Sequence, residues 1–431
     1  MTVRNLEKNR QIAETMKATL ERHSNMVCKT FEVKIQDNQL SKKQRLPISM
    51  MFLESKWYKN YIIRWSEETG NPIWKFDTKT THIIRKDKDM NDFEYDIQYL
   101  PASLRQTLLK RMSENFKTMS TLRKKGKQKN NGKLKYSKEE TIIDYKQYGT
   151  THKIVSKNSI KLQGVKGKIR VNGLSQFINI EGIEYANARL IDRPDGYYIQ
   201  IVCYIPKESN TKQSNGEILG IDFGCETSFT LSTGEKIDAK IQESERLKNL
   251  QRKLSRQKKG SKGWFKTVSK IKIEYQKLNN KKKDLTNKTV AKFLEYDVIV
   301  IQDEQLSNWH KSGHGKAVQH SILGSVKAKL KSSNKVVIID KYLPTTKMCN
   351  KCGTLNNNIK VWDREFICSN PSCQHHEDRD IHSAENMVLF YINGIYGVER
   401  TLTRVERQKI CYSVFRTADS DVLSKPEATT L

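Results

Sequence analysis

Four cysteines fall in two close pairs in the second half of the chain. They are Cys349, Cys352, Cys368 and Cys373. Two short loops that each supply two thiolates are the usual frame for one tetrahedral zinc ion, and four thiolates leave no open position for a catalytic water. The spacing therefore predicts one structural Zn2+ bound by these cysteines. His375 and His376 follow directly and are alternative ligands in place of one cysteine.

Three carboxylates stand at the end of an apolar run or at the start of a helix. Asp222 follows the run in ILGIDFG, Glu304 closes VIVIQDEQL, and Asp380 begins the last helical segment in DRDIHSAENM. Each of them alone has a common structural explanation, as a turn residue or a helix-capping acid. Together they are what cleavage of a phosphodiester needs, because carboxylates can hold two divalent ions about 3.5 to 4 Å apart. We expect Gly220 and Gly224 to leave space beside Asp222 for the metals and a substrate backbone.

The elements that carry these carboxylates follow a definite order. A meander of three β-type runs begins at residue 214, and two long basic helices follow at 246–290. After them come an apolar strand at 296–304, a helix at 315–333, a strand at 335–340 and a last helix that begins at 379. This order predicts an RNase H-like α/β domain whose sheet gathers the three carboxylates. Alternation along the strand should direct Asp303 and Glu304 to opposite sides of the sheet.

The first half of the chain has a different pattern. Its N-terminus favours a helix, residues 28–36 favour a short strand, and the apolar spacing within 48–65 and 100–119 indicates helices. A linker rich in Lys, Gly and Asn then leads to short β-type runs, with a hairpin turn at residues 193–196. The pattern over residues 136–206 therefore predicts a small sheet or barrel.

Charge separates this chain from most classes of protein. Lysine and arginine number 78 among 431 residues, against 48 aspartates and glutamates, which leaves a net charge of +30. Such a surplus repels itself unless a polyanion neutralises it, so nucleic acid is the expected partner. No run reaches the ~18 apolar residues of a membrane span, and the N-terminus lacks the apolar core of a signal peptide. We expect no membrane partner and a cytoplasmic location.

Several motifs are similar to those of one known family. They are GIDFG with TLSTGEKI, LQRKLSRQKKGSKGWFK, VIVIQDEQL, CNKCG and DREFICSNPSCQHHEDRDIHSAENM. Together they resemble the TnpB family of transposon-associated RNA-guided DNA nucleases, which is related to the compact type V CRISPR effectors. The resemblance implies a guide RNA, zinc on the four cysteines, and two Mg2+ ions on the RuvC ligands Asp222, Glu304 and Asp380. The chain departs from the family at two places. Where the family commonly has Asp-x-Asn-Ala-Ala, this chain has His382 in place of Asn and Ser383 in place of the first Ala. Its second cysteine pair is separated by four residues instead of two.

The resemblance also implies an order of domains. It combines a wedge-like β-domain, a helical recognition lobe inserted in it, and a RuvC nuclease domain that contains a zinc ribbon for the target nucleic acid. The predicted boundaries are an N-terminal helical extension at 1–27, the first wedge strand at 28–37, the recognition lobe at 38–130, the wedge β-domain at 131–213, the nuclease domain at 214–344 and 379–396, the zinc ribbon at 345–378 and a C-terminal tail without periodicity at 397–431.

The resemblance implies a Mg2+-dependent endodeoxyribonuclease of the prokaryotic cytoplasm. It would bind a guide RNA and double-stranded and single-stranded DNA, as a monomer or as a homodimer on one RNA. Base pairing would select the sequence and the protein would bind backbones, which explains the many positive charges. The basic residues expected to contact phosphates lie between the first two carboxylates, at Arg252, Arg256, Lys258, Lys259 and Lys262.

Three other functions fit part of the sequence. A nuclease-inactive, RNA-guided repressor would usually have lost one of the three carboxylates, since the chemistry needs two ions. A transposase that joins DNA ends with a similar trio would differ from a guided nuclease in needing no guide RNA. A zinc-ribbon regulator without enzymatic activity would leave the carboxylates unexplained. Transposon-encoded and CRISPR-associated origins both stay open.

Overall fold

The computed structural model describes residues 3–86, 91–126, 134–207, 216–309, 315–360 and 362–395. The chain forms two compact units, of residues 1–211 and 212–431. Among the described residues, no helix has both the length and the apolar character needed to cross a membrane. The predicted tail at 397–431 lies outside the described residues.

Helices and short strands alternate in the first unit. The helices among its described residues are α1 (Val3–Ser24), α2 (Lys42–Thr69) and α3 (Ala102–Lys124), with 3-10 turns at Asp37–Gln39, Ile73–Lys75 and Leu174–Gln176. The strands are β1 (Met26–Ile35), β2 (His82–Lys86), β3 (Asp92–Asp96), β4 (Ile142–Tyr145), β5 (His152–Ser156), β6 (Ser159–Leu162), β7 (Ile169–Asn172), β8 (Glu184–Arg193) and β9 (Gly196–Pro206). Within this described part, one antiparallel sheet has the order β4-β8-β9-β1-β7-β6-β5, and β2 pairs with β3.

The core of the first unit joins this sheet to two of its helices. Ile62 of α2, Leu108 of α3 and Ile199 of β9 are buried in one cluster. Glu54 of α2 is also buried, and it accepts hydrogen bonds of 2.7 to 3.1 Å from the backbone amides of residues 98–100. These bonds satisfy the buried carboxylate and fix the segment that leads into α3. The apolar spacing predicted the helices but not β2 and β3 between them.

A mixed α/β arrangement makes up the second unit. The helices in its described part are α4 (Glu245–Ser255), α5 (Lys262–Phe293), α6 (Leu306–Trp309), α7 (Gly315–His320), α8 (Leu323–Lys331) and α9 (Arg379–Ile392). The strands there are β10 (Ile218–Phe223), β11 (Phe229–Leu231), β12 (Lys236–Ile237), β13 (Val298–Gln302), β14 (Val336–Ile339), β15 (Glu365–Ile367) and β16 (His376–Asp378). The strand β15 pairs with β16 in a separate small sheet.

The main sheet of the second unit carries Asp222. Over the described residues its order is β12-β11-β10-β13-β14, with an antiparallel meander from β10 to β12 and parallel pairing of β10, β13 and β14. Ile299 and Ile301 of β13 pack with α5 and α8, whereas Val300 faces the core that α9 completes. Parallel strands covered on both faces read as continuous apolar runs, which is why this strand was predictable.

Several predicted boundaries shift by one or two residues, and two differences in the second unit bear on the site. The helix expected over 315–333 is broken into α7 and α8, because the backbone of Ser321 pairs with Lys240 in an isolated β-bridge. The strand expected to end at Glu304 ends at Gln302 instead. The position of Glu304 is therefore set by the segment after β13 and not by the strand itself.

Candidate functional site

Asp222 lies near the end of β10, next to the last helix. It is the fifth residue of the strand and pairs with Thr230 of β11. Ser383 of α9 donates a hydrogen bond of 3.3 Å from its Oγ to Oδ1 of Asp222. The carboxylate is thus held between the sheet and the helix that carries Asp380.

Glu304 lies two residues beyond β13, and a buried lysine fixes its backbone. Nζ of Lys327 donates to the carbonyl oxygens of Gln302 at 3.1 Å and of Glu304 at 2.5 Å. Oε2 of Glu304 is buried and has no hydrogen-bond partner among the described residues. Burial raises the pKa of Glu304 to about 7, although the charge of Lys327 opposes the change.

Asp380 lies in the first turn of α9 but does not cap it. The capping residue is Asp378, whose Oδ1 accepts from the backbone amides of Asp380 at 3.1 Å and Ile381 at 3.2 Å. The side chain of Asp380 instead accepts a hydrogen bond of 3.2 Å from the guanidinium of Arg379. The explanation of Asp380 as a helix cap therefore does not apply, whereas its place as a first-turn acid favoured by the helix dipole does.

The charges of Glu304 and Asp380 both act on Asp222. The pKa of Asp222 is raised well above its ordinary value, first by burial and then by the negative charges of Glu304 and Asp380. Charges act this strongly only between near neighbours. The fold thus places Glu304 and Asp380 near enough to Asp222 to affect its pKa, and a metal site on the three acids stays a prediction.

Asp303 has a different environment from its neighbour Glu304. It is exposed, and its Oδ1 lies 2.9 Å from Nζ of Lys331. The hydrogen bond from Lys331 holds the pKa of Asp303 below its usual value. Both acids lie beyond the end of β13, so strand alternation does not separate them as predicted, but their different environments make Asp303 a control for Glu304.

Two glycines near Asp222 do not have the expected role. A Cβ atom on Gly220 would overlap the carbonyl oxygen of Ala384, and one on Gly224 would overlap that of Thr227. The prediction that they leave space for metals and a substrate was wrong. Gly220 permits close packing of α9 on β10, and Gly224 permits a tight turn.

The four cysteines converge as their spacing predicts. Their sulfur atoms all lie within 4.8 Å of one another, with Sγ separations of 3.8 Å for Cys349 and Cys373 and 3.5 Å for Cys352 and Cys368. Four thiolates about 2.3 Å from a tetrahedral zinc ion are about 3.8 Å apart, so the cluster fits that metal. Burial opposes ionisation of Cys352, but hydrogen bonds with Thr354 outweigh it and lower the pKa to about 6.

The two histidines after Cys373 do not join the sulfur cluster. His376 is exposed and lies 2.9 Å from Oε2 of Glu365. His375 belongs to a different group, with Glu377 and His382. The alternative in which a histidine replaces one cysteine is therefore not needed to complete four ligands.

The basic residues predicted to contact phosphates surround the junction of α4 and α5. All five are exposed, and Arg252 and Arg256 line one open groove with Lys253. Lys262 is the first residue of α5, after the cap that Ser261 forms. The surface is accessible to a polyanion, and the phosphate contacts themselves stay a prediction.

Sequence reasoning missed two residues that hold the carboxylates in place. Lys327 lies on the buried face of α8, beside Val326 and Leu330. A lysine within an apolar helix face is a signal for a buried amine, and it could have been found. Ser383 stands three residues after Asp380 on α9, the spacing that places two side chains on one helix face.

Comparison with known proteins matches both parts of this site. A family model described as "Probable transposase" matches residues 200–306, and one described as "Cas12f1-like, TNB domain" matches residues 322–387. A Streptomyces pristinaespiralis protein named "Putative RNA-guided DNA endonuclease" is 28% identical over 210 residues, which cover 46% of this chain and 50% of that protein. The resemblance to the TnpB and type V family is confirmed. The chain spans about half the length of this curated relative.

The similarity to the TnpB and type V family falls on the candidate site. The first matched segment contains Asp222 and Glu304, and the second contains Asp380 and the four cysteines. The residues that the sequence predicted for metals thus all lie within segments typical of this family.

Proposed function

We propose that this chain is an RNA-guided DNA endonuclease that cuts its target at a RuvC-type site formed by Asp222, Glu304 and Asp380. The observation that carries the proposal is that the charges of Glu304 and Asp380 both raise the pKa of Asp222. Acids from distant parts of a sequence that raise one another's pKa at a buried position are typical of sites that bind a cation. The family resemblance and the name of the Streptomyces relative support guided DNA cleavage as the use of that cation.

The donor set fits divalent magnesium. A buried carboxylate oxygen without a partner is costly, and Oε2 of Glu304 has no hydrogen-bond partner among the described residues. A hard divalent ion prefers carboxylate oxygen and would supply both the missing partner and the missing positive charge. We assign two Mg2+ ions to Asp222, Glu304 and Asp380, and one structural Zn2+ to the four cysteines.

Each of the three acids has a neighbour that orients it. Magnesium bound here would supply an activated water and stabilise the leaving oxygen of a phosphodiester. Ser383 holds Oδ1 of Asp222 from α9, and Arg379 donates to Asp380. The amine of Lys327 fixes the backbone at Glu304 through a hydrogen bond to the carbonyl oxygen. It makes no hydrogen bond to the side-chain oxygen Oε2 of Glu304. The chain thereby presents the ligands in fixed positions before a metal arrives.

We propose that the two units contain the predicted domains of a guided nuclease. The meander followed by parallel strands supports an RNase H-like RuvC domain, and the seven-stranded sheet of the first unit's described residues supports the wedge β-domain, which we expect to be a barrel. We assign the extension to 1–27, the wedge to 28–37 and 131–213, the recognition lobe to 38–130, the nuclease to 214–344 and 379–396, and the zinc ribbon to 345–378.

A guide RNA accounts for the charge of the chain. A protein with a net charge of +30 is stabilised by a structured RNA, whose phosphates neutralise it and release counterions. The exposed residues around the α4–α5 junction are suited to contact RNA or DNA backbones. We propose guide RNA and target DNA as the partners, with one or two copies of the chain on one RNA, in the cytoplasm of a prokaryote.

None of the three rival functions is favoured by the site. A repressor without nuclease activity has no use for an unpaired buried carboxylate at Glu304. A transposase would use a similar trio, but it would select DNA without a guide. The three acids and the sulfur cluster both belong to segments that match the family, so a regulator that uses only its zinc ribbon is not needed to explain either feature.

Sequencing the RNA that co-purifies with the protein tests this proposal. The protein is expressed from its native locus, purified at low salt and again at high salt, and the bound RNA is sequenced. We expect one dominant species with a constant segment and a variable guide segment, which high salt removes. A random sample of cellular RNA at both salt concentrations would contradict RNA guidance.

A further inference from the structure

A second group of potential metal-binding side chains is separate from the four-cysteine cluster. It consists of His375, Glu377 of β16 and His382 of α9, whose ligand atoms all lie within 4.8 Å of one another. Oε2 of Glu377 is 3.3 Å from Nε2 of His375 and 3.2 Å from Nδ1 of His382. None of these residues belongs to the four-cysteine cluster or to the three carboxylates.

The orientation of His382 is fixed on both of its nitrogen atoms. Its Nε2 is 2.7 Å from the carbonyl oxygen of Met348, which can only accept, so Nε2 carries a proton. In the neutral ring Nδ1 then presents a lone pair to Glu377, whose carboxylate also presents lone pairs. The ring cannot turn away, because it is fully buried and stacks on Phe366 with 3.8 Å between centroids.

Oε2 of Glu377 is the common neighbour of both histidines, and it also accepts a hydrogen bond of 3.3 Å from Nδ2 of Asn350. A cation between Glu377 and its two histidines is either a proton on His382 or a metal ion that all three side chains bind. Tetrahedral zinc bonds of 2.0 to 2.2 Å to nitrogen and oxygen place neighbouring donor atoms about 3.3 to 3.6 Å apart. The separations of 3.3 and 3.2 Å between Glu377 and the two histidines lie at or just below the short end of that range. A histidine whose second nitrogen donates to a backbone carbonyl is also the usual arrangement at metal sites.

We propose that His375, Glu377 and His382 form a second metal site, separate from the four-cysteine zinc site. Two imidazole nitrogens and one carboxylate oxygen suit Zn2+ or a similar divalent transition ion. The side chains of His375 and Glu377 are 15% and 23% exposed, so water can complete the coordination. The ion would link β16 to the first turns of α9 and so help to hold Asp380 in position.

Zinc content at equilibrium tests this site without any nuclease assay. The full-length chain is dialysed against buffered micromolar free Zn2+, and bound zinc per chain is measured by mass spectrometry. Wild type should bind about two ions, and His375→Ala and Glu377→Gln about one each. His376→Ala is the matched control, because His376 is exposed and pairs with Glu365. It should bind as much zinc as wild type.

Cobalt distinguishes loss of the second ion from loss of the ribbon fold. Co2+ bound by thiolates absorbs strongly in the near ultraviolet, so these bands should be unchanged in His375→Ala while total cobalt falls to about half. The same bands confirm that the variant is folded. Wild type that binds about one zinc ion, or His375→Ala that binds as much metal as wild type, would leave a proton as the cation between Glu377 and its histidines and would overturn the proposal.

Discussion

Gly220 and Ala384 bring the strand of Asp222 against the helix of Asp380. A Cβ atom on Gly220 would overlap the carbonyl oxygen of Ala384 and lie 3.0 Å from its carbonyl carbon. Only glycine therefore allows α9 to lie directly on β10. This contact brings the strand of Asp222 against the helix of Asp380, although Gly220 and Ala384 are not themselves part of the site.

Gly220→Ala should destabilise the second unit and weaken cleavage together. The added methyl group forces α9 away from β10, and overpacking of this kind costs about 1 to 3 kcal/mol. Urea unfolding and the rate of DNA cutting measure the two effects. Gly324→Ala is the control, because nothing lies within 4 Å of its Cβ position in α8 and alanine favours a helix by about 1 kcal/mol. If both variants unfold alike, the contact with Ala384 is not tight.

Replacement of a proposed magnesium ligand should separate cutting from binding. Asp222→Ala and Glu304→Gln should each lower the cutting rate at least about a hundredfold, since even residues that only support metal ligands give effects of 10 to 100-fold. Binding of target DNA should change little, because lysines and arginines contact the phosphates. The cutting rate and the dissociation constant are measured with a matching guide RNA.

Asp303→Asn provides the control for Glu304→Gln. Asp303 is adjacent in sequence, but it is exposed and paired with Lys331, so its loss should cost little activity. Equal loss of cutting in the two variants would contradict the different roles assigned to the neighbours.

Removal of one thiolate should unfold the zinc ribbon. Cys349→Ser should lower bound zinc by about one ion per chain and lower the melting temperature, because binding energy at structural sites is folding energy. Cys28→Ser is the control, since Cys28 is exposed in the first unit and is not one of the four clustered cysteines. Identical zinc content and melting of the two variants would show that the four sulfur atoms bind no metal.

His152 should make the first unit less stable in mild acid. Burial lowers the pKa of His152 from 6.5 to about 4. Below pH 6.5 the unfolded chain therefore binds a proton that the folded chain does not. The contribution of His152 to the free energy of unfolding is complete above pH 6.5. It decreases as the pH falls toward 4, by about 3 kcal/mol in total.

Urea unfolding of wild type and His152→Phe between pH 4 and 7 measures this effect. The difference in free energy of unfolding should change with pH in that window, since phenylalanine does not titrate. A constant difference would show that His152 is protonated alike in the folded and unfolded states.

The features predicted from sequence were those set by local spacing. The cysteine pairs and the apolar run before Glu304 were readable because ligand spacing and two-sided burial leave direct patterns. The role of Gly220 was not readable, because glycine serves equally at a ligand site or at a close backbone contact. Only the packing of α9 decides between the two.

Features that depend on partners distant in sequence were also missed, because only the folded chain brings those partners together. The break after α7 follows from pairing of Ser321 with Lys240, some 80 residues earlier in the chain. The role of Lys327 requires carbonyl oxygens at the end of β13 that only the folded sheet brings near. Neither partner lies within the window over which a helical pattern is read.

The most direct test of guided cutting uses one duplex and two guide RNAs. The protein is stripped of RNA at high salt and rebuilt with its own RNA, with a guide segment that either matches the duplex or is scrambled. Cutting is followed with Mg2+. The account predicts cutting with the matching guide, and none with the scrambled guide or with Mg2+ omitted. Cutting that is equally fast with the scrambled guide, or without RNA, would contradict it.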